Sequence, residues 1–466
     1  MNTIRLNTIG EVIAKKDGGN SGGGAVSVSP KAVNFRDYDG TVLYAYSKEE
    51  FLALTEFPPL PTREGLICQE WNWDFGNAVE YVTEYGVLEV GATYITDDGK
   101  TKIFIELRSV GMPALSLYFS QTTSNGVIID WGDGSPTETI GETGDVTISH
   151  SYNVMGKFII TMDVVDGCSV KLGHGASNTT LLGNRFSSGG MAYPNTTRQI
   201  FIGKNVAELS AYSLSVSSFD FLTIPKGVTM LGNYALQRTK LKYLVIPKSV
   251  TTIGSYAFYM SRELINVIFS HGLTSLGNRA FSDCTALERI IFPNKITTLP
   301  SEVCYGCYAL RFICLPDSIT ASGGQPFHTC YSLYSVSTPK ELKSTSSSII
   351  RDGWGLQWAE IRGQAGVYQM FYGCTALHSC VFPNGCTSIS SECFRQCYDL
   401  VFVDFSKCAS VPTLSNVNAF ETNLREGMKI VVPDALYDDW IAATNWSSSN
   451  IVSKIITKSE WDALNA

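Results

Sequence analysis

The sequence predicts a mainly β chain: a solenoid of about ten coils of 22–23 residues, preceded by a β-sandwich and a small β module. Three observations predict it. Leucines recur at Leu241, Leu264, Leu287, Leu310, Leu333, Leu377 and Leu400, in steps of 23, 23, 23, 23, 44 and 23 residues. A second row, Leu214, Leu236, Phe258, Phe281, Cys304, Phe327, Phe371 and Phe394, keeps the same beat. Upstream, turn signals such as Asp39-Gly40 and Asp133-Gly134 separate short apolar runs. A fixed period with regular apolar anchors marks coils that bury little alone and form a core by stacking.

Five residues past each leucine of the first row comes an apolar or β-branched residue, usually followed by proline: Ile246-Pro247, Phe292-Pro293, Leu315-Pro316, Thr338-Pro339, Phe382-Pro383. The unit therefore reads as strand, proline exit, a turn such as 249–254, then a short Ala-Phe helical turn. Counting back by 22 adds Ile224-Pro225 and Ile202-Gly203, and the 44-residue step hides a degenerate coil at Leu356 and Ile361. Within the strand, offsets 0, 3 and 5 from the leucine are expected to be buried and offset 2 to point outward. The outward row is Phe221, Tyr243, Asn266, Arg289, Phe312, Ser335, Trp358, Ser379 and Phe402. Its aromatics and arginine are residue types enriched at binding hot spots. Phe221, Tyr243, Arg289, Phe312, Trp358 and Phe402 are therefore the candidate partner-binding face, unless a neighbouring domain or subunit covers them.

The runs Ser249-Val250-Thr251-Thr252-Ile253-Gly254-Ser255-Tyr256-Ala257-Phe258 and Ala280-Phe281-Ser282-Asp283-Cys284-Thr285-Ala286-Leu287 resemble the BspA-like (Treponema-type) leucine-rich repeats. The resemblance covers about half of the chain and recurs coil after coil. It implies a surface or phage-borne protein of gut or oral bacteria, acting in adhesion or recognition with no reaction attached.

Eleven of the thirteen cysteines lie between 284 and 408. Cys284, Cys307, Cys330, Cys374 and Cys397 each sit three residues before an anchor leucine, so they read as small core side chains stacked coil upon coil. Zinc would need four converging ligands, whereas a solenoid spreads Cys304, Cys307, Cys393 and Cys397 along its axis. No metal, cofactor or disulfide framework is expected.

The remaining elements follow in chain order. Residues 1–30 read as a docking tail, with the glycine-rich linker 18–24. In 31–105, a hairpin turns at Asp39-Gly40, a helical stretch runs over 48–54, and Thr96-Asp97-Asp98-Gly99-Lys100 suggests a further hairpin. With Trp71-Asn72-Trp73, read as core aromatics, this unit is similar to the Listeria–Bacteroides repeat, a β-grasp-like module. In 106–170, Asp130-Trp131-Gly132-Asp133-Gly134-Ser135 followed by His150-Ser151-Tyr152 resembles the PKD-type immunoglobulin-like sandwich, which implies a spacer. Asp130, Asp133 and His150 read there as turn-forming residues. The solenoid is expected over 171–428 and a cap over 429–466, with Asp434 as N-cap of a helix 435–444 whose Tyr437, Trp440 and Ile441 close the open end.

Composition narrows function. Charged residues are 17% and net charge is −8, so there is no electrostatic footprint for nucleic acid. No run approaches the ~18–20 apolar residues of a membrane helix, and residues 1–8 lack the apolar run of a cleaved leader. The five histidines form no catalytic pattern. The leading reading is a non-enzymatic virion-associated fibre, homo-oligomeric, attached to other virion proteins by its tail and binding a bacterial surface glycan or protein. The alternatives are a bacterial cell-surface adhesin, and an enzyme or inhibitor with a site hidden in the solenoid.

Overall fold

A computed structural model describes residues 32–107, 115–173, 181, 197–345, 348–363, 369–420 and 425–465. The expected docking tail and linker lie outside them. The fold is mainly β, 31% strand and 10% helix, and its larger part is a solenoid of about 11 turns of roughly 23 residues.

Each coil contributes a three-residue strand to one wall and a two-residue strand to the other. On the first wall, Tyr243 pairs in parallel with Asn266, Asn266 with Arg289, and Arg289 with Phe312. Further along, Trp358 pairs with Ser379, Ser379 with Phe402, and Phe402 with Lys429. Between the walls, the anchor leucines and the Phe row are fully buried, and like stacks on like: Phe258 and Phe281 lie 4.9 Å apart and nearly parallel.

The cysteine row is buried and consists of free thiols, and the thiols also make hydrogen bonds. Cys284 Sγ donates to the Phe258 carbonyl at 3.1 Å, Cys307 to Phe281 at 3.1 Å, Cys330 to Cys304 at 3.3 Å and Cys397 to Phe371 at 3.2 Å. Ser261 fills the same place one coil earlier and donates to the Leu236 carbonyl at 2.8 Å. Position, not sulfur chemistry, sets this row.

Among the described residues, the helical turns of the coils are bracketed by left-handed residues in two rows. The first row is Tyr212, Tyr234, Tyr256, Arg279, Glu302, Gln325, Gln369 and Glu392. The second is Val216, Arg238, Met260, Asp283, Gly306, Thr329, Asp352, Gly373 and Gln396. Only two of these seventeen positions carry glycine. A non-glycine residue there costs on the order of 1–2 kcal/mol, offset by the coil-to-coil hydrogen bonds that the turn makes possible. Tyr234 N donates to Ser255 O, Tyr256 N to Asn278 O, and Arg279 N to Ser301 O.

The sandwich is continuous with the solenoid. Its strands are β5 (Thr101–Leu107), β6 (Leu115–Gln121), β7 (Val127–Asp130), β8 (Glu138–Ile140), β9 (Gly144–His150), β10 (Gly156–Val164) and β11 (Val170–Leu172). The first-wall strand β12 (Thr197–Phe201) pairs antiparallel with β5, and the second-wall strand β13 (Val206–Leu209) pairs with β11. Both sandwich layers thus run into the two walls, and one hydrophobic core extends from Ile103 to Ile455. The expected spacer is in place a lid on the first coil, which satisfies the need of a repeat array for a terminal cap. Asp130, Asp133 and His150 make turn contacts: Asp130 accepts from Gly132 N, Asp133 from Ser135 N, and His150 Nε2 lies 2.7 Å from Asp133 while its ring stacks on Trp131.

The N-terminal module is a four-stranded sheet ordered β2-β1-β4-β3, from β1 (Val33–Arg36), β2 (Val42–Tyr46), β3 (Leu66–Trp71) and β4 (Leu88–Thr96). Helix α1 (Lys48–Leu52) opens on a Ser47–Glu50 capping box. Helix α2 (Phe75–Tyr85), absent from the sequence reading, closes on the left-handed Gly86. The expected hairpin over 96–100 is corrected. That turn joins β4 to β5, which belong to different sheets, so the module ends at Thr96 and β5 belongs to the sandwich.

At the other end, the strands Lys429–Val432 and Ile455–Thr457 extend the first wall. Helices α3 (Tyr437–Ala442), α4 (Ser449–Val452) and α5 (Lys458–Asn465) follow or flank them. Trp440 packs on Phe405 at 5.4 Å as the cap predicted. Trp446, not singled out from sequence, completes the plug, its Nε1 donating to the Pro412 carbonyl at 2.8 Å. Asp434 is not the N-cap of its helix; its carboxylate accepts from Ser459 N and Oγ instead.

Candidate recognition surface

The outward row splits into covered and open parts. The N-terminal module lies on its first part. Tyr38 meets Phe201 and Phe221 edge-on, at 6.4 and 5.9 Å. Gly40, φ +89°, sits on the face of Tyr243, where a Cβ would come within 2.4 Å of the ring. Gly91 does the same against Val245, at 2.5 Å. Phe312, with Ile291 and Cys314, belongs to the module's own hydrophobic cluster. Arg289 lies over the Phe312 ring at 4.8 Å and pairs with the buried Glu89 at 3.3 Å, while Arg36 holds the other carboxylate oxygen.

Polar contacts fix the docking. Asn72 Nδ2 donates to the carbonyls of Ile246 and Ile268, Trp73 Nε1 to Phe269 and Tyr81 Oη to Phe292, at 3.0, 3.2, 2.8 and 2.7 Å. Tyr85 Oη accepts from Asp317 N at 3.0 Å. Trp73 is buried by this docking, and Trp71 lies in the module's own core, its Nε1 donating to the Pro58 carbonyl at 2.9 Å. At the rim, Lys248 bridges Glu70 and Asp74, and His271 Nε2 lies 3.0 Å from Asp74. Lys248 holds the Asp74 carboxyl below its ordinary value, and burial does the same to the His271 imidazole. The cavity under Trp73, Glu89 and Asn266 measures about 10 Å³, room for one water and no ligand.

Phe221, Tyr243, Arg289 and Phe312 thus pack against another part of the same chain, which buries Phe312 and leaves the other three partly exposed at its edge. Phe402 is also met from within, by Trp461 of α5 at 4.8 Å. Between these two covers, Ser335, Ser337, Trp358 and Glu360 remain partly exposed, with Lys340 and Glu84 3.7 Å apart at the module's edge. Of the six candidate residues, Trp358 is the one in the open window.

The tyrosine row missed by sequence reading lies on the left-handed positions. Tyr212, Tyr234 and Tyr256 stack at 4.6 and 4.7 Å, and Arg279 Nη1 donates to Tyr256 Oη at 3.2 Å. A further stack, Tyr308, Tyr331 and Trp354, has spacings of 5.1 and 4.3 Å. Both could have been found by reading the register two residues before each anchor. Among the described residues no cluster of three or more His, Cys, Asp or Glu could hold a metal ion. The buried thiols are poor nucleophiles: burial pushes Cys374 and Cys386 up to about 12.

Stacked coils with two internal lids define a leucine-rich-repeat solenoid protein. The chain belongs to the family of the BspA type leucine rich repeat region, matched in six copies over residues 191–265, 251–362 and 304–425. Among solved structures, it is similar to a leucine-rich repeat protein from Bacteroides ovatus, with 21% identity, a TM-score of 0.39, and coverage of 54% of this chain and 66% of that one. The present chain thus spans just under two thirds of that protein. It is also similar to a leucine rich cell surface protein from Faecalibacterium prausnitzii, with 18% identity, a TM-score of 0.35, and coverage of 63% and 93%. The pneumococcal vaccine antigen PcpA matches at 14% identity and a TM-score of 0.34, over 57% and 68%. Comparison with curated proteins gives no match.

Proposed function

We propose that this protein is a non-enzymatic adhesin of the bacterial cell surface that recognises a surface glycan or protein through the uncovered part of its solenoid. The observation that carries this reading is the open window. The module and the C-terminal cap cover the strand face on either side of Trp358, which stays partly exposed on a rigid wall. Membership of the BspA type family supports a surface setting. The test is binding of the labelled full chain to bacterial cells. Saturable binding that falls at least tenfold in Trp358→Ala, with unchanged thermal unfolding, supports the window; undiminished binding by that variant removes it.

A virion-borne form of the same function rests on the glycine-rich segment 18–24 as a linker for a docking peptide. There the chain is a homo-oligomer attached to other virion proteins. Deleting residues 1–24 leaves thermal unfolding unchanged and abolishes incorporation into particles on this reading; continued incorporation of the truncated chain refutes it.

A further inference from the structure

Among the described residues, the aromatic side chains exposed by more than a third are Tyr308 (44%), Trp354 (53%) and Tyr398 (47%). All three occupy one position of the repeat, two residues before the anchor leucine. From Arg262 onward that position holds Arg262, Thr285, Tyr308, Tyr331, Trp354, Thr375 and Tyr398. Backbone bonds keep it in register: Ala309 N donates to Thr285 O, Ser332 N to Tyr308 O, and Asp399 N to Thr375 O. Four residues on, Trp358 pairs with Ser379 and Ser379 with Phe402, which carries the same register across Trp354, Thr375 and Tyr398.

Threonine is sufficient for the fold here, as Thr285 and Thr375 demonstrate. The aromatics are therefore not required by the turn. Where three follow in succession, they stack nearly parallel, with interplanar angles of 8° and 15°. At Thr375 the row lacks one ring. Two coil spacings of ~4.8 Å separate Trp354 from Tyr398, about 10 Å in all. That leaves room for one ring between them, at the spacing Tyr331 keeps from its own neighbours.

We propose that this gap binds one neutral pyranose ring of a glycan, with Trp354 and Tyr398 on either side and Thr375 beneath. The inference rests on the recognition reading above and narrows it to one ligand class. The C–H face of a pyranose is apolar and slightly positive, complementary to the negative face of an aromatic ring. The rim supplies acceptors for its hydroxyls. His378 is exposed, and its Nδ1 donates to the Ala376 carbonyl at 2.7 Å, leaving Nε2 to accept. Asp399 is exposed beside Tyr398, and its carboxylate disfavours an acidic sugar. An aromatic peptide side chain fits the same width but leaves both acceptors desolvated without a donor. Rings held by a rigid backbone lose little freedom on binding.

The test uses the full chain on an array of neutral and acidic oligosaccharides, followed by saturation-transfer NMR with the methyl glycosides of neutral hexoses. Thr375→Tyr completes the row with a residue that the fold accepts at 308 and 331, so its thermal unfolding is unchanged. Neutral glycan binding by the wild type, reduced at least tenfold in Thr375→Tyr and in Trp354→Ala, is the expected result. Wild-type strength in Thr375→Tyr overturns the proposal, as does a preference for acidic glycans or for aromatic peptides. Cell binding, measured in parallel, separates the two readings. A chain that binds cells but no neutral glycan loses the slot and keeps the adhesin; a chain that binds neither loses both.

Discussion

Tyr243 and Trp358 occupy the same offset in the same wall, on strands built alike, and meet opposite surroundings. Tyr243 lies under Gly40, and its neighbours Arg289 and Phe312 complete the N-terminal module. Trp358 lies past the module's edge and short of α5, partly open to solvent. The difference comes from the module, not from the coil. A unit of this size has little core of its own, so it borrows Ile291, Phe312 and Cys314 as its floor. An outward aromatic on a solenoid therefore has two explanations, and only the uncovered one concerns a partner.

Removing the cover should have the largest effect. Trp73→Ala deletes a buried aromatic and its bond to Phe269, a loss of about 3–5 kcal/mol. The module should then detach, seen as rapid proteolysis near 97–100 and an early separate unfolding step. One cooperative transition at the wild-type temperature would show that the module is held elsewhere. Gly91→Leu attacks the same interface sterically, since even a Cβ there lies 2.5 Å from Val245. Overpacking of this kind costs about 1–3 kcal/mol. The comparison sharpens with a matched pair. Arg289→Ala leaves Glu89, 4% exposed, with Arg36 as its one cation and Asn34 Nδ2 as donor to the other oxygen, and should lower stability by about 1–3 kcal/mol without touching cell binding. Trp358→Ala should do the reverse, shifting stability by less than about 0.5 kcal/mol.

Acid should loosen the covered half selectively. The folded-state values of His271 and Asp74 both lie below their ordinary ones. Each then favours the docked state when deprotonated. That stabilisation is complete above the unfolded values, roughly 6.5 for histidine and 3.9 for aspartate, and is lost as pH falls beneath them. Proteolysis near 97–100 should therefore rise from about pH 6.5 downward. Its failure to rise in His271→Gln with Asp74→Asn would assign the effect to this pair.

Legibility in the sequence followed the range of the interaction. The coil period, the buried cysteine row and Trp440 as a plug all follow from local spacing, because each coil meets chiefly its neighbours. Docking of the module depends on contacts nearly two hundred residues apart, such as Asn72 with Ile268 and Trp73 with Phe269, and no period announces these. The Asp39-Gly40 turn was legible, but not that Gly40 also leaves room for Tyr243. Asp434 was read from its local cap preference, and Ser459 outcompeted that preference from 25 residues away. The three-ring stacks at the turns, Tyr212-Tyr234-Tyr256 and Tyr308-Tyr331-Trp354, lie outside the strand register and are interrupted by threonine, arginine and glutamate in neighbouring coils.

The cysteine row gives a smaller effect that is the same in both halves. Cys307 donates to a buried carbonyl as Ser261 does. Cys307→Ser should be nearly neutral, whereas Cys307→Ala removes the donor and leaves a small void, about 1–2 kcal/mol. Denaturant midpoints distinguish the two, and equal losses would mean that sulfur volume, not the hydrogen bond, is what the site uses.

The smallest effect lies in the backbone. In the second left-handed row, the early coils carry Val216, Arg238 and Met260, and glycine enters later, at Gly306 and Gly373. Valine is the worst of these choices, because its branched Cβ crowds the carbonyl at φ 59°. Val216→Asn keeps a side chain that tolerates this region, so it should relieve part of the ~1–2 kcal/mol strain. It gives up little burial, since Val216 is already partly exposed. A net gain of about 0.5–1 kcal/mol is expected, read as a rise in the denaturant midpoint. Gly306→Ala is the mirror experiment in the later coils. A Cβ there would lie 2.7 Å from the Asp283 carboxylate at φ +72°, so it should lose about 1 kcal/mol. If Val216→Asn instead destabilises, the left-handed turn is set by packing of the valine methyls and not by backbone tolerance, and the early and late coils differ in more than their cover.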